Sequence, residues 1–270
     1  MGPPTMKQTS LSVHEARRIA IQSQLLDGVD RLANKDGVAQ AIDHLGYVQI
    51  DTISVVARAH HHTLWARCPD YQPAFLHDLQ AVDRRIFEYW AHAIAFLPIA
   101  DYRFYLPRMD RHRTGHRAWL SDWKKEHGQV LDEVLRRIRV DGALSSKDFE
   151  PPPGLQRGTW WDWKPAKRAL EILFWQGDLM ISERRKFQKL YDLTERVLPP
   201  GTDTSRPSVA ELGRFHVRRA LGGLGVARAK EIRDAFHVVD QAHIDASLKE
   251  MQQSKEVVAL SIEGLDDVYY

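Results

Sequence analysis

A single cysteine, Cys68, stands in 270 residues. A lone thiol excludes an internal disulfide and a zinc cage built from thiolates alone, and sparse cysteine suits a reducing compartment. Net charge is nearly absent as well. The 38 basic and 36 acidic side chains leave a formal +2, which excludes a histone-like or polybasic chain but leaves room for a locally basic face. Long apolar runs are missing. The longest, residues 93–100, is far short of the ~20 residues that cross a bilayer, and the first ten residues carry no apolar signal core. The expectation is a soluble cytoplasmic protein with no membrane partner. Tryptophan and histidine, by contrast, are plentiful at 8 and 13 residues.

The chain reads as mostly helix with small β elements. Apolar residues recur at helical spacing over residues 12–26, and Ser12 followed by Glu15 has the spacing of a capping box. Residues 36–45 form a second helix that Gly46 should end in a left-handed cap. Residues 47–54 then alternate as a strand. The order returns further on: a helix over residues 130–140, a second short helix opened by a Ser145–Asp148 cap, a third helix over 164–176, a stop at Gly177, and strands over 177–181 and 187–191 around a charged turn. A weaker copy has helices over 208–220, 227–235 and 243–252, a turn at Gly222–Gly225, and a strand over 257–262. Residues 199–205 read as a linker and residues 151–154 as a rigid loop. Length alone suggests about two domains at roughly 150 residues each. The repeated order suggests instead an α+β chain of tandem winged helix-turn-helix units, spanning 10–125, 126–199 and 206–270.

The near-neutral total hides a gradient. Residues 101–125 and 156–191 each sum to +4, whereas residues 241–270 sum to −4. Within the basic middle, Lys164, Lys167 and Arg168 on the third helix and Arg184, Arg185 and Lys186 at the wing suit phosphate contacts. A solvated helix face and a charged turn fit the same residues. Trp160, Trp161 and Trp163 have a base-stacking reading and a packing one. His60, His61 and His62 are consecutive, so they cannot point one way on a helix or a strand, and no metal site is expected from them.

Gln49 and Asp51 fall on one face of the expected strand, with Ile50 behind them. An amide and a carboxylate together can hold one water, the amide positioning it and the carboxylate taking its proton. The carboxylate also suits stabilisation of a cationic transition state. Alternatively, Asp51 or Thr52 caps the next turn.

Residues 47–67, with their Tyr47-Val48-Gln49-Ile50-Asp51 opening and His60-His61-His62, resemble the YcaQ/AlkZ family of winged-helix DNA glycosylases. Residues 87–98 and 161–199 are similar to it too, so the resemblance covers nearly the whole chain. It implies several winged helices around a concave channel for double-stranded DNA. It also implies excision of N-alkylated purines, unhooking of interstrand cross-links, and no cofactor. Gln49 and Asp51 match the Gln-x-Asp branch, which is associated with broader alkylation substrates, better than the Gln-x-Gln branch. Family members continue past residue 270 into a further β-rich segment, so the third unit is expected to be cut short.

On this reading Gln49 and Asp51 are catalytic, and the chain is a metal-independent, monomeric glycosylase that associates with the nucleoid when it acts on DNA. A cross-linked base is tethered to the opposite strand and cannot be swung out freely, so an open cleft is expected. Arg58, His60, His61 and His62 would hold phosphates there, while Thr52, Trp90 and His92 shape it. The competing class is a winged-helix regulator without catalysis, which has no need of the Gln49/Asp51 pair.

Overall fold

The computed structural model describes residues 9–28, 32–115, 118–149, 163–236 and 239–270. In chain order these hold β1 (Thr9–Leu11), α1 (Val13–Ser23), α2 (Asn34–Leu45), β2 (Val48–Gln49), α3 (Ala59–Trp65), α4 (Pro73–Ala81), β3 (Ile86–Trp90) and β4 (Ile94–Pro98). They continue with α5 (Tyr102–Arg113), α6 (Ala118–Asp141), α7 (Trp163–Trp175), β5 (Leu179–Arg185), β6 (Gln188–Leu193) and α8 (Thr194–Val197). The last elements are α9 (Val209–Leu224), α10 (Ala229–Phe236), α11 (Gln241–Gln253) and β7 (Leu260–Ile262). The described residues thus form the helix-rich α+β fold expected.

The three contiguous units expected from the repeat differ from the way the chain packs. Contacts gather it into two compact units: Met1–Tyr71 with Trp90–Leu97 and Pro207–Tyr270, and Gln72–Tyr89 with Pro98–Arg206. Local periodicity identifies helices but does not say which of them share a core, and the first core is assembled from segments up to two hundred residues apart.

In the first unit, α9 is the central rod, packed by α1, α2, α10 and α11. Its wide inner face carries Leu212, Phe215, Val217 and Ala220. Two of its glycines face neighbours at close range: a Cβ at Gly213 would lie 2.2 Å from Ser247 Oγ, and one at Gly223 would lie 3.4 Å from the Leu45 carbonyl oxygen. Of the turn expected over Gly222–Gly225, residues 222–224 therefore belong to the helix, and only Gly225, at φ +75°, turns. Val38, Ala41 and Ile42 of α2 are wholly buried, and each large aliphatic contributes ~1.5–3 kcal/mol. The Ser12/Glu15 capping box opens α1, and Gly46 ends α2 at φ +77°. β1 pairs in parallel with β7, Thr9 opposite Leu260.

The second unit is built around α7, whose Ala169, Leu170, Leu173 and Phe174 are buried against α5, α6 and β5. α6 is longer than the helix expected over 130–140, with non-helical torsions at His127. A 3-10 turn follows Ser145, whose N–H and hydroxyl both donate to Asp148 at 2.7 Å. β5 and β6 form the expected antiparallel hairpin, Leu179 opposite Leu193. β5 runs on to Arg185, so the turn is only Lys186–Phe187, both at positive φ (48° and 69°). Residues 151–154 and the Trp160–Asp162 cluster lie outside the described residues.

Candidate active site

The expected eight-residue strand over 47–54 is short in the structure: β2 pairs Val48 with Phe96 and Gln49 with Ala95. One more ladder bond, Ile50 N–H to the Ile94 carbonyl oxygen at 2.8 Å, carries the pleat to residue 50. Val48 and Ile50 point inward and are buried, and Gln49 is exposed. Asp51, half-buried, follows in the outward phase. The chain then turns because the Asp51 carboxylate accepts the N–H of Ile53 at 2.9 Å, a short polar side chain mimicking a turn. The turn is thus part of what Asp51 does, and it engages Oδ1. No hydrogen bond to Oδ2 forms within the described residues. Ile53, Val55 and Val56 stand exposed beyond it.

His60, on α3, faces this turn. It is 3% exposed, its ring lies edge-on to Phe96 with centroids 5.9 Å apart, and its Nδ1 accepts the Asp51 N–H at 3.4 Å. A ring buried in this way positions Asp51; it is not placed to meet a phosphate. His61 sits 2.7 Å (Nδ1 to Oη) from Tyr71, and burial, reinforced by Arg58, pushes its pKa below the ordinary value. His62 is exposed and packs on Trp65 with centroids 5.4 Å apart. The three rings diverge, as expected for consecutive residues. Arg58 occupies the position just before α3 and is half-buried. Thr52 is exposed within the turn. β4 runs antiparallel to β2, so the register places residues 91–93, with exposed His92, at the Asp51 end of this ladder. Trp90, half-buried, immediately precedes them.

The basic residues of the second unit divide. Arg184 is committed inward: its Nε and Nη2 donate to Glu88 at 2.7 and 2.6 Å, and the Glu88 side chain is fully buried. This removes Arg184 from the expected phosphate contacts, because a guanidinium paired to a buried carboxylate is not available to DNA. Arg168 pairs with Glu171 at 3.4 Å and lies over Trp119. Arg185 and Lys186 are exposed at the hairpin tip, Arg185 paired with Glu183 at 2.6 Å. Lys167 lies on α7 and is exposed. The side chain of Lys164 lies outside the described part.

The structure adds residues that the sequence reading passed over. Gln49 lines a cleft of about 250 Å³ together with Gln24, Thr63, Arg67 and Arg219. Arg67 lies within the 47–67 motif, and its i, i+4 spacing from Thr63 was the available signal.

An exposed amide and a half-buried carboxylate thus stand at a strand end of a helix-rich two-unit chain. The fold is that of a solved DNA glycosylase, Streptomyces sahachiroi AlkZ: the two structures superpose with a TM-score of 0.67 at 14% identity, over 96% of this chain and 70% of that one. The chain belongs to the DNA glycosylase AlkZ-like family, whose model matches residues 42–270. It is a DNA glycosylase, an enzyme whose partner is DNA. Among the described residues no helix is long and apolar enough to cross a membrane.

Proposed function

We propose that the chain hydrolyses the N-glycosidic bond of N7-alkylated purines in duplex DNA and unhooks interstrand cross-links made through them. Asp51 activates the water and Gln49 positions it. The observation that carries this reading is the outward phase of Gln49 and Asp51 at the end of β2, with Ile50 anchored behind them and Asp51 retaining one oxygen without a partner among the described residues.

An N7-alkylated purine is already cationic. The C1′–N9 bond therefore breaks with its electron pair returning to the base, which leaves neutral and needs no strong general acid. The sugar left behind is oxocarbenium-like, and a fixed carboxylate stabilises it. As the water oxygen bonds to C1′, its proton passes to Asp51. Neither step calls for a metal. Arg58 near the turn and Arg185 and Lys186 at the hairpin tip are the basic residues best placed to contact phosphates. On this reading α7 and the β5–β6 hairpin serve as helix and wing of a middle winged-helix unit, and the chain acts as a monomer.

The test is alkaline cleavage of duplex carrying N7-methylguanine or a nitrogen-mustard cross-link after incubation with the protein in chelator. Strand breaks are expected with wild type. Asp51→Asn should slow excision at least ~100-fold, within the range of general acid–base catalysis. Wild-type rates for Asp51→Asn, or tight binding to one operator sequence without breaks, would overturn the reading.

A further inference from the structure

Past Trp65, α3 winds on for a turn: the N–H groups of Arg67 and Cys68 both reach the Leu64 carbonyl oxygen, at 3.1 and 2.8 Å. His60, Thr63 and Arg67 (i, i+3, i+7) therefore share a helical face. One end of that face holds the Asp51 turn, and the other lines the cleft beside Gln49.

Arg67 is an unusual lining for a cleft. Only 9% of it is exposed. Its two hydrogen-bond partners are neutral, the Thr63 carbonyl oxygen at 2.8 Å and Gln24 Oε1 at 3.0 Å. Nε is buried without a hydrogen-bond partner, so three of the five guanidinium N–H groups are unassigned. Among the described residues no carboxylate lines the cleft; its second cation, Arg219, is paired with Asp43 at 3.1 Å. Burial holds the Arg67 pKa below its ordinary value. A desolvated cation with neutral partners and an orphaned donor is destabilising in the free protein, and an arriving anion offsets that. The guanidinium fork matches the oxygens of a phosphate. The cleft's volume corresponds to roughly eight waters at ~30 Å³ each, more room than a lone ion requires.

We propose that this cleft seats one phosphodiester of the DNA strand under repair, with Arg67 donating to its non-bridging oxygens beside Gln49. Gripping the backbone here fixes the sugar against Gln49 and Asp51 without pulling the base from the helix, as a cross-linked base requires. The inference rests on the excision reading only in laying the damaged strand across Gln49. It is therefore tested by binding to an uncleavable duplex, and failure to excise an alkylpurine leaves the measurement intact.

The probe is a duplex with a tetrahydrofuran abasic-site analogue, its phosphates replaced singly by neutral methylphosphonates along that strand. Arg67→Gln should weaken binding about ten-fold or more and lower the slope of log Kd against log salt by about 0.9, while Arg67→Lys keeps the slope. One methylphosphonate position should weaken wild type and leave Arg67→Gln unaffected. Without DNA, Arg67→Gln should melt no lower than wild type. Equal slopes, with every methylphosphonate acting equally on both proteins, would overturn the proposal. So would a melting shift of wild type with inorganic phosphate but no coupled position in DNA, which would mark a free-anion site. If Arg67→Gln fails to fold, Arg67→Lys is run through the same scan, and coupling at the one position must shrink or the proposal falls.

Discussion

The backbone N–H of Asp51 donates to Nδ1 of His60 across 3.4 Å. Nδ1 must therefore carry its lone pair toward Asp51, and the ring proton of the neutral imidazole sits on Nε2. With Ile53 N–H on Oδ1, Asp51 is held at its backbone by His60 and at its carboxylate by Ile53. Placement of a reacting group within about 1 Å can be worth ~100-fold in rate.

His60→Leu removes that acceptor while keeping an apolar body against Phe96. Excision should fall ~10- to 100-fold by this positioning effect, with DNA affinity little changed. His60→Asn offers an amide oxygen near the Nδ1 position and should recover part of the loss. Single-turnover excision rates and Kd for the two variants check this; equal rates for wild type and His60→Leu would remove His60 from the positioning of Asp51.

Arg184 and Lys186 lie two residues apart at the hairpin and should behave oppositely. Arg184 and Glu88 form a buried pair, supported by Gln80 Nε2 at 3.0 Å from Glu88 Oε1. Glu88→Ala leaves the guanidinium without its counter-charge and should cost about 3–5 kcal/mol of stability, whereas Glu88→Leu with Arg184→Met should restore much of it. Lys186→Gln should leave the melting temperature unchanged and reduce the salt slope of DNA binding by about 0.9. Thermal melting and salt titration of the variants separate the two roles.

Much of the local structure was legible because its signals are local. Ser12 with Glu15, and the glycines at 46 and 177, stop and start helices through hydrogen bonds or torsions within a few residues. The strand expected over 47–54 is longer than β2 because Val, Ile and Thr favour β structure, while the Asp51 side chain breaks the ladder with its own turn. The Gln49/Asp51 phase was legible from period-two alternation alone. The Glu88 partner of Arg184 was not, since it lies 96 residues away, and no local pattern distinguishes a buried arginine from an exposed one. The same blindness hid Arg67 and the joining of residues 207–270 to the N-terminal segment.

His61 gives a pH signature. Its folded pKa lies below the ordinary ~6.5 because of burial first and Arg58 second. The unfolded chain then binds this proton more readily than the folded one. The contribution is fully present above about 6.5 and is lost as pH falls through the window between the unfolded and folded values. Wild type should lose more melting temperature between pH 7 and pH 5 than His61→Gln does, and NMR titration should place the His61 midpoint below the ordinary histidine value. Parallel melting curves for the two proteins would contradict this.

Gly46 ties the end of α2 to the wall of the Gln49 cleft. At φ +77° a side chain is strained by about 1–2 kcal/mol, and a Cβ there would also lie 2.8 Å from Phe236 Cζ. Phe236 in turn meets Tyr47 edge-on at 5.2 Å, and both rings line the cleft. Gly46→Ala should therefore destabilise the protein by more than the torsional strain alone, because Phe236 must move. The displaced ring disturbs Tyr47, two residues before Gln49, so excision should fall as well. Phe236→Leu, which opens space at that contact, should return part of the stability lost to Gly46→Ala. A double-mutant cycle in chemical denaturation reads this directly: a coupling energy near zero would show that torsion, and not the ring, sets the penalty.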